Sequence, residues 1–458
     1  MAQQCVAQVG FGFQDVGQRV VARFDTEHGS SDGGAVLLKR IDERLGLTEK
    51  LAGCLRDGRQ AGKVEHRLVE MLRQRIFGLC CGYEDGNDAA RIGNDPVHKL
   101  LAGRDPIDGA ALASQPTLSR FENAVGWREL YRMGECIADT VIETERKRRR
   151  GKARRISIDM DPTDDPVHGQ QQLALFNGHY GNWCYLPVVG TVSFDDEPEQ
   201  HALIAVLRAG NAHATLGAQP LLERLFAKLR RAFPGARLRV RLDGGYATPA
   251  MLDFLEAQGV QYVVAMAGNK RLRRRARRLM AQVRRASKQS GHSEQVFGES
   301  RYAARSWSHQ RRVVIKAEVV RLGEREPRDN ARFVITNIER GSAEHIYDIY
   351  RSRGDMENRL KELHDGLSMD RTSCSSFKAN QFRVLLTLAA YVLMQQLRHA
   401  ARHTGCARAQ VTTLRERLLK LGAWVERSVR RIVLHLPSGY AWMNDWRRVA
   451  ISVGAVAS

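Results

Sequence analysis

The sequence predicts an α/β fold in which helices flank a mixed sheet. Beyond residue 155 the apolar residues alternate with a period of two, which is typical of strands. Five such runs lie at 155–160, 184–194, 201–208, 237–243 and 260–267. Helical patterns near 217–232 and 247–258 make the order of elements βββαβαβ. Three consecutive strands, followed by strands that alternate with helices, describe a mixed sheet covered by helices, as in ribonuclease-H-like folds.

A helical N-terminal domain is predicted before this sheet, because apolar residues such as Leu68, Met71, Leu72 and Ile76 recur at helical spacing. The domain ends in a block of like charge at 146–155. Such a block repels itself, which favours an arm or linker over packed structure. A second basic tract at 270–288 carries ten cationic residues among nineteen, too densely to leave a clean apolar face. Short alternating runs follow it and predict a partly β insertion.

A long helix is expected at 343–364, and an apolar helix at 380–399 that packs it onto the sheet. We therefore predict six segments along the chain. They are a helical DNA-binding domain at 1–145, a basic linker at 146–155, the first part of the catalytic domain at 156–267, the insertion at 268–330, the second part of the catalytic domain at 331–400 and a C-terminal region at 401–458.

The charge balance indicates a polyanionic partner. Lys and Arg total 72 against 51 acidic residues, a net charge of +21 over 458 residues. Nucleic acid is the commonest partner of so basic a chain.

The eight cysteines show no spacing typical of zinc sites, and we interpret them as reduced thiols of a cytoplasmic protein. The N-terminus lacks a basic start followed by an apolar run, and the longest apolar stretch, 384–394, is too short to span a bilayer. A secreted or membrane-embedded protein is therefore not expected.

Two predicted strands end in aspartates. Ile156, Ile158 and Met160 alternate with Ser157, Asp159 and Asp161, and a similar strand runs up to Asp243. Pro162 and Gly244 follow as turn-forming residues, so Asp161 and Asp243 are expected at strand ends, where such sheets build their sites. Surface strands often end this way, so neither aspartate alone indicates catalysis.

A third acid lies on the predicted helix at 343–364. Tyr350, Arg353, Glu357, Lys361 and His364 return to one helical face. Three carboxylates from two strands and a helix would form an all-oxygen site, which suits Mg²⁺ or Mn²⁺ better than zinc. We expect two such ions per site, which together promote phosphodiester displacement.

Five segments together resemble the bacterial insertion-sequence transposases of the DDE type that carry a Tyr-Arg-Glu-Lys signature. Within them the chain resembles the group numbered thirteen-eighty, which is related to the group-four transposases. The segments are DMDPTDDPVHGQQ (159–171), FNGHYGNWCYLP (176–187), LRAGNAH (207–213), RLDGGYATP (241–249) and 350–364. The resemblance covers most of residues 10–450.

The resemblance implies that Asp161, Asp243 and Glu357 bind the metals and are catalytic. Asp161 matches the family's Asp-x-Thr motif, and Asp159, on the same side of the strand, is the alternative first acid. The closing Lys of the signature is His364 here, so we expect Lys361, one turn earlier, to contact a DNA phosphate instead.

Further DNA contacts are expected around these acids. Tyr350 and Arg353 suit phosphate oxygens near Glu357. Arg273, Arg274 and Arg275 of the basic tract are expected to contact DNA phosphates. Trp307 is expected either to stack on an unpaired base or to lie in a β core. His168, Gln170 and Gln171 have weaker claims to DNA or to a metal-bound water.

The implied function is cleavage at the terminal inverted repeats of a transposon, followed by joining of the freed 3′-OH ends to target DNA. Double-stranded DNA is then the partner, a homodimer pairs the two ends, and the enzyme is cytoplasmic and associated with the nucleoid. Two alternatives stay open. One is a ribonuclease-H-like nuclease or resolvase without strand transfer, and the other is an inactive, transposase-derived DNA-binding protein.

Overall fold

The computed structural model describes residues 11–13, 20–195, 197–323 and 325–456. The predictions that concern the extreme N-terminus and Cys5 lie outside these residues. The chain divides into two compact units, each of which is discontinuous in sequence. Unit 1 comprises Met1–Arg44, Arg59–Leu118 and Gln396–Ser458, and unit 2 comprises Leu45–Gly58 and Ser119–Gln395.

The strands are β1 (Phe11–Phe13), β2 (Val20–Ala22), β3 (Gly29–Ser30), β4 (Arg155–Pro162), β5 (Asp165–Pro166), β6 (Leu175–Asn177), β7 (Asn182–Tyr185), β8 (Val188–Phe194), β9 (His201–Val206), β10 (Arg237–Leu242), β11 (Gln261–Met266), β12 (Glu294–Tyr302), β13 (Arg311–Val320), β14 (Arg328–Thr336), β15 (Ala423–Arg427) and β16 (Ile432–His435). The helices are α1 (Val36–Leu45), α2 (Leu47–Cys54), α3 (Leu68–Cys81), α4 (Gly86–Arg91), α5 (Pro96–Ala102), α6 (Gln115–Ala124), α7 (Trp127–Arg148), α8 (Ala218–Ala232), α9 (Pro249–Ala257), α10 (Lys270–Ser290), α11 (Ala343–Arg351), α12 (Asp355–Lys361), α13 (Phe377–Ala400), α14 (Val411–Leu414) and α15 (Met443–Ser452).

Unit 1 combines helices from both ends of the chain with a three-stranded sheet of order β16-β15-β3. A buried ionic group holds α5 in it: His98 Nε2 lies 2.8 Å from Asp32 Oδ2, and Lys420 Nζ lies 2.7 Å from Asp32 Oδ1. The segments at 1–44 and 396–458 thus belong to one unit, whereas the sequence predicted a linear N-terminal domain and a separate C-terminal region.

Unit 2 is built on an eight-stranded mixed sheet of order β12-β13-β14-β11-β10-β4-β8-β9. Strands β4, β10 and β11 are parallel, and the remaining neighbours are antiparallel. The prediction of a mixed sheet flanked by helices is confirmed, and the arrangement is compatible with a ribonuclease-H-like fold. The predicted run at 184–194 is divided between two strands, of which β8 joins this sheet and β7 joins a small sheet with β5 and β6.

The polar side of the central strands is buried. Ser157, Asp159, Arg239 and Arg241 are all less than a tenth exposed, although they alternate with the apolar residues of β4 and β10. Because the parallel strands lie in the middle of the sheet, helices cover both faces and their polar residues must find partners inside the protein.

The basic tract forms a helix, and the strands after it extend the main sheet. Strands β12, β13 and β14 continue it beyond β11, and α10 packs on β12 and β13. The helix is capped by Asn269, whose side chain accepts from the Leu272 amide. Its buried residues are Leu272, Ala276, Met280, Val283 and Ser287, at helical spacing. The prediction that this tract leaves no clean apolar face is wrong, because small and apolar residues stand at the few positions between the charges.

The predicted arm at 146–155 is packed at Arg149, whose side chain is 8 % exposed, whereas six of its ten residues are exposed. Helix α7 continues to Arg148, and the buried carboxylate of Glu145 accepts from Arg148 at 2.6 Å and from Arg149 at 3.3 Å. Arg149 also lies over the Phe194 ring, 4.6 Å from its centroid. Glu145 lies three and four residues before these arginines, so this pairing is local, whereas the contact of Arg149 with Phe194 is not apparent from the local sequence.

Helix α13 covers the edge strand β9 through two glutamines. The Gln381 side chain accepts from the Leu207 amide at 2.6 Å, and that of Gln395 donates to the Gln200 carbonyl at 2.6 Å. These bonds satisfy backbone groups that an edge strand would otherwise expose. Within the described residues, no helix combines the length and apolar character that crossing a membrane requires.

Candidate active site

Asp161 stands at the end of the central strand β4. Its side chain is 14 % exposed, and Arg353 Nη2 lies 2.6 Å from its Oδ1 atom. Burial raises the pKa of Asp161 to about 6, the Arg353 guanidinium opposes the rise, and Asp243 and Glu357 add to it. Asp243 and Glu357, from distant parts of the sequence, thus lie near enough to Asp161 to influence its charge.

Asp243 follows the neighbouring strand β10. The two strands are parallel, with Leu242 opposite Met160, so Asp243 and Asp161 are the next residues along each. Adjacent strands lie about 4.8 Å apart, which places the two aspartates side by side at the carboxyl edge. The Gly245 amide donates to Asp243 Oδ1 at 3.0 Å and orients this carboxylate in the turn.

Glu357 lies on α12, which is part of a helical segment with two irregular turns. A 3₁₀ turn at Ser352–Gly354 joins α11 to α12, and a π-helical turn at Glu362–Gly366 follows. The neighbouring Met356 is fully buried, and its sulfur accepts from the Thr191 hydroxyl at 3.3 Å. Glu357 is itself exposed to solvent. Its charge contributes to the raised pKa of Asp161.

Asp159, the alternative first acid, has both carboxylate oxygens engaged. It is fully buried, and Arg241 donates to it from Nε at 2.7 Å and from Nη2 at 2.6 Å. Gln200 Nε2 adds a third hydrogen bond at 2.9 Å. A carboxylate held by a bidentate guanidinium has little capacity left for a metal ion.

The residues around Asp161 suit a hard divalent cation. Asp161, Asp243 and Glu357 supply only oxygen donors. Burial is the main cause of the raised pKa of Asp161, and the neighbouring acids add to it, so a cation here would stabilise the charged carboxylate. Within the described chain, two buried polar atoms nearby, Tyr246 Oη and Arg353 Nε, have no hydrogen-bond partner. Tyr246 Oη can accept a hydrogen bond or contact a cation, whereas Arg353 Nε can only donate and suits an anionic group such as a phosphate.

Two other groups have ligand atoms within 4.8 Å of one another in the described residues: Asp32, Cys81 and His98, and Asp253, Glu256 and His309. The three predicted acids are not gathered so tightly. In both groups a protein cation already balances the acids. Lys420 pairs with Asp32, and Arg311 pairs with Asp253 and Glu256. Arg353 pairs with Asp161 as well, so charge pairing does not separate the three groups. We favour the acids at the sheet edge because they lie at the carboxyl ends of adjacent parallel strands, where such sheets build their sites.

The remaining residues of the helical signature differ in exposure. The half-buried Tyr350 ring packs against Tyr347, with centroids 5.9 Å apart, and Lys361 is exposed. His364 Nε2 lies 3.1 Å from the Thr163 hydroxyl, and burial lowers the pKa of His364. His364 is therefore a neutral partner of the Asp-x-Thr motif near pH 7 rather than a permanent cation.

The sequence model of the family described as transposase DDE domain group 1 matches residues 13–454. The chain belongs to the DDE transposase family. Curated proteins include no match to the chain. The family supports a transposase function in general and implies a metal-dependent enzyme that cuts DNA.

The basic helix of the transposase presents its charge to solvent. All ten Lys and Arg side chains of α10 are exposed, including Arg273, Arg274 and Arg275. Arg275 bonds to the Ser300 hydroxyl and the Arg301 carbonyl, and Arg284 pairs with Asp329. The apolar stripe thus fixes α10 on the sheet and leaves a cationic surface outward.

Trp307 lies in the loop between β12 and β13. It is half-buried, Tyr302 meets its ring edge-on at 5.4 Å, and the Arg311 guanidinium lies 5.2 Å from its centroid. Two side chains therefore contact the Trp307 ring, and its stacking on a base stays a prediction. Among the weaker candidates His168 and Gln170 are exposed, whereas the Gln171 carbonyl accepts from Asn380.

The sequence reasoning missed Asp165, a buried acid four residues beyond Asp161. It is 1 % exposed, its Oδ2 accepts from the Thr372 hydroxyl at 2.8 Å, and its Oδ1 has no hydrogen-bond partner among the described residues. Burial raises its pKa to about 8, with Asp370 and Asp164 contributing. Its position in an acid-rich motif gave no local signal that it differs from its neighbours.

Asp165 should make the stability of the transposase depend on pH. Because its folded-state pKa of about 8 exceeds the ordinary value of 3.8, its contribution is fully present below pH 3.8 and is lost as pH rises through 8. The melting temperature of Asp165→Asn minus that of wild type should therefore increase as pH rises from 4 to 9. Thermal unfolding across this range measures the difference, and a constant difference at all pH values would contradict the assignment.

Proposed function

We propose that the protein cleaves DNA at transposon terminal inverted repeats and joins the 3′-OH ends to target DNA. The observation that supports this most strongly is the coupling of Asp161 to Asp243 and Glu357, which come from two parallel strands and one helix. A shared all-oxygen site at the carboxyl edge of a sheet, in a member of the DDE transposase family, is suited to phosphodiester displacement.

Asp161, Asp243 and Glu357 would hold Mg²⁺ or Mn²⁺, two ions per site. When bound, such ions activate the attacking hydroxyl and stabilise the departing oxygen. Asp161 is our choice for the first ligand because its contact with Arg353 leaves one oxygen free, whereas both oxygens of Asp159 are occupied. We assign Asp159 and Arg241 to holding β4 and β10 together beneath the site.

The DNA-binding surface in this proposal combines α10 with the helical signature. The exposed side chains of α10 would contact phosphates, so that binding should fall steeply with salt. The planar guanidinium of Arg353 matches the geometry of a phosphate, and Tyr350 offers a hydroxyl donor close to it. A homodimer that pairs two DNA ends, a place in the thirteen-eighty group and a cytoplasmic, nucleoid-associated location complete the proposal.

Substitutions of Lys361 and of His364 should lower the rate of DNA cleavage by different amounts. Lys361→Ala should lower the cleavage rate about 10-fold, because a charged hydrogen bond to phosphate contributes about 1.5 kcal/mol or more. His364→Ala should have a smaller effect, since the neutral ring bonds to Thr163. Cleavage of end-containing DNA by both variants under single-turnover conditions measures the effects. A larger loss for His364→Ala would assign the phosphate contact to the histidine.

The joining of transposon ends to target DNA tests the proposed function directly. Purified protein, DNA that carries the terminal inverted repeats and a supercoiled target plasmid are incubated with Mg²⁺, and end-to-target junctions are sequenced. Junctions at both strands are expected. Cleaved ends without junctions would support a nuclease or resolvase, and binding without cleavage would support an inactive DNA-binding protein. A Glu357→Gln variant controls for contaminating nuclease.

A further inference from the structure

An exposed pair of aromatic rings lies on the hairpin formed by β6 and β7. Phe176 and Trp183 are opposite each other in the antiparallel register, and their ring centroids are 6.3 Å apart. They are 52 % and 57 % exposed. Large aromatic side chains on the outer face of a two-stranded hairpin do not contribute to its core, so they are available for contact with another molecule.

The hairpin is held firmly in place. Asn177 Nδ2 donates to the Gly210 carbonyl at 2.7 Å, and the Val167 amide donates to the Trp183 carbonyl at 2.9 Å. A Cβ atom at Gly210 would lie 2.1 Å from the Cys184 carbonyl oxygen, so this glycine allows the LRAGNAH loop to pack directly on the hairpin backbone. The aromatic surface is therefore preformed.

A cleft of about 600 Å³ lies beside Trp183. The side chains and backbone that line it belong to Val167, Gly169, Gln170, Gln171, Ala174 and Trp183. None of these described residues is charged, which disfavours a phosphate or a charged peptide as the occupant. An aromatic ring beside amide groups suits a flat, uncharged ring with hydrogen-bonding edges, which is the chemistry of a nucleobase.

The cleft is next to the predicted acids. Val167 follows Asp161 by six residues, and β5 between them pairs with β7. Tyr180, in the turn of the hairpin, has its pKa raised by burial and also by Asp164, Asp161 and Asp243. A DNA strand at the acids would therefore pass close to the hairpin.

We propose that this cleft binds an unpaired DNA base, which stacks on Trp183 and presents its edge to Gln170. The inference rests on the proposed function, because it supposes that DNA lies at the acids. Trp307 is another tryptophan near the basic surface, but the Arg311 guanidinium lies over its ring, 5.2 Å from the centroid, whereas Trp183 lines the cleft and contacts Phe176 edge-on.

The test compares the affinity of the full chain for two DNA probes in EDTA, where no cutting occurs. One probe is a blunt duplex and the other is the same duplex with a short single-stranded overhang, both followed by fluorescence anisotropy. Trp183→Ala should weaken overhang binding roughly 5- to 100-fold, the range for loss of one stacked base, and leave blunt-duplex binding unchanged. Trp183→Phe should retain most of the affinity, because it keeps an aromatic face.

Trp127 supplies a matched control, since it is also 57 % exposed and lies on α7 in the same unit. Trp127→Ala should bind both probes as wild type does. Unchanged overhang binding by Trp183→Ala, an equal loss for both probes, or a change of oligomeric state without a change in DNA binding would each overturn the base site. These results leave the proposed function standing, because it is tested separately by the formation of end-to-target junctions and by substitutions of the acids.

Discussion

Asp243→Asn and Glu357→Gln should each lower Mg²⁺-dependent DNA cleavage by about 10³-fold or more. Each substitution keeps the size of the side chain and removes a charged oxygen donor, and a metal ion contributes several kcal/mol to stabilising the transition state. Asp161→Asn should have an effect of similar size. Single-turnover cleavage of end-containing DNA measures all three, and binding of the same DNA in EDTA should persist.

Glu344→Gln is the matched control for this experiment, because Glu344 is an exposed acid in the first turn of α11. It should cut DNA at the wild-type rate. Wild-type cleavage by a folded variant of Asp161, Asp243 or Glu357 would remove that residue from the metal site. A comparable loss in the Glu344 variant would show that general surface charge, and not the site, is being measured.

Arg241→Met should destabilise the protein by about 3–5 kcal/mol, the cost of leaving a buried charge without its partner. Arg241 donates twice to the fully buried Asp159, and its Nη1 also reaches the Ile349 carbonyl at 3.4 Å on α11. The substitution therefore removes the residue that connects β4, β10 and the helix before Glu357. Urea unfolding followed by circular dichroism gives the free energy of unfolding.

The double variant Asp159→Leu with Arg241→Met separates the loss of the ion pair from the loss of packing. Because it removes both charges, it should recover at least half of the stability that Arg241→Met loses. Equal destabilisation by the single and double variants would show that the cost does not come from an unpaired Asp159. Full stability of the single variant would show that Asp159 accommodates burial without Arg241.

Local sequence patterns were enough to predict much of the fold. The order of strands and helices from residue 155 to 267 follows from periods that each segment shows by itself, and the turn residues after Asp161 and Asp243 mark where the strands end. The same reasoning went wrong for α10 and for 146–155. In both segments charge dominates the local composition. Arg149 packs on Phe194, which is remote in sequence, and α10 packs through a stripe of small and apolar residues on β12 and β13, which follow it in the chain.

The sequence by itself determined which acids lie at strand ends and that the chain resembles DDE transposases, because strand period and motif spacing are properties of short segments. Only the tertiary structure distinguished Asp159 from Asp161, since the strand period places both on one side. Arg241, on the neighbouring strand, engages both oxygens of Asp159, whereas Asp161 meets Arg353 of the 3₁₀ turn before α12. Burial and charge pairing depend on residues that are distant along the chain, so no local pattern encodes them.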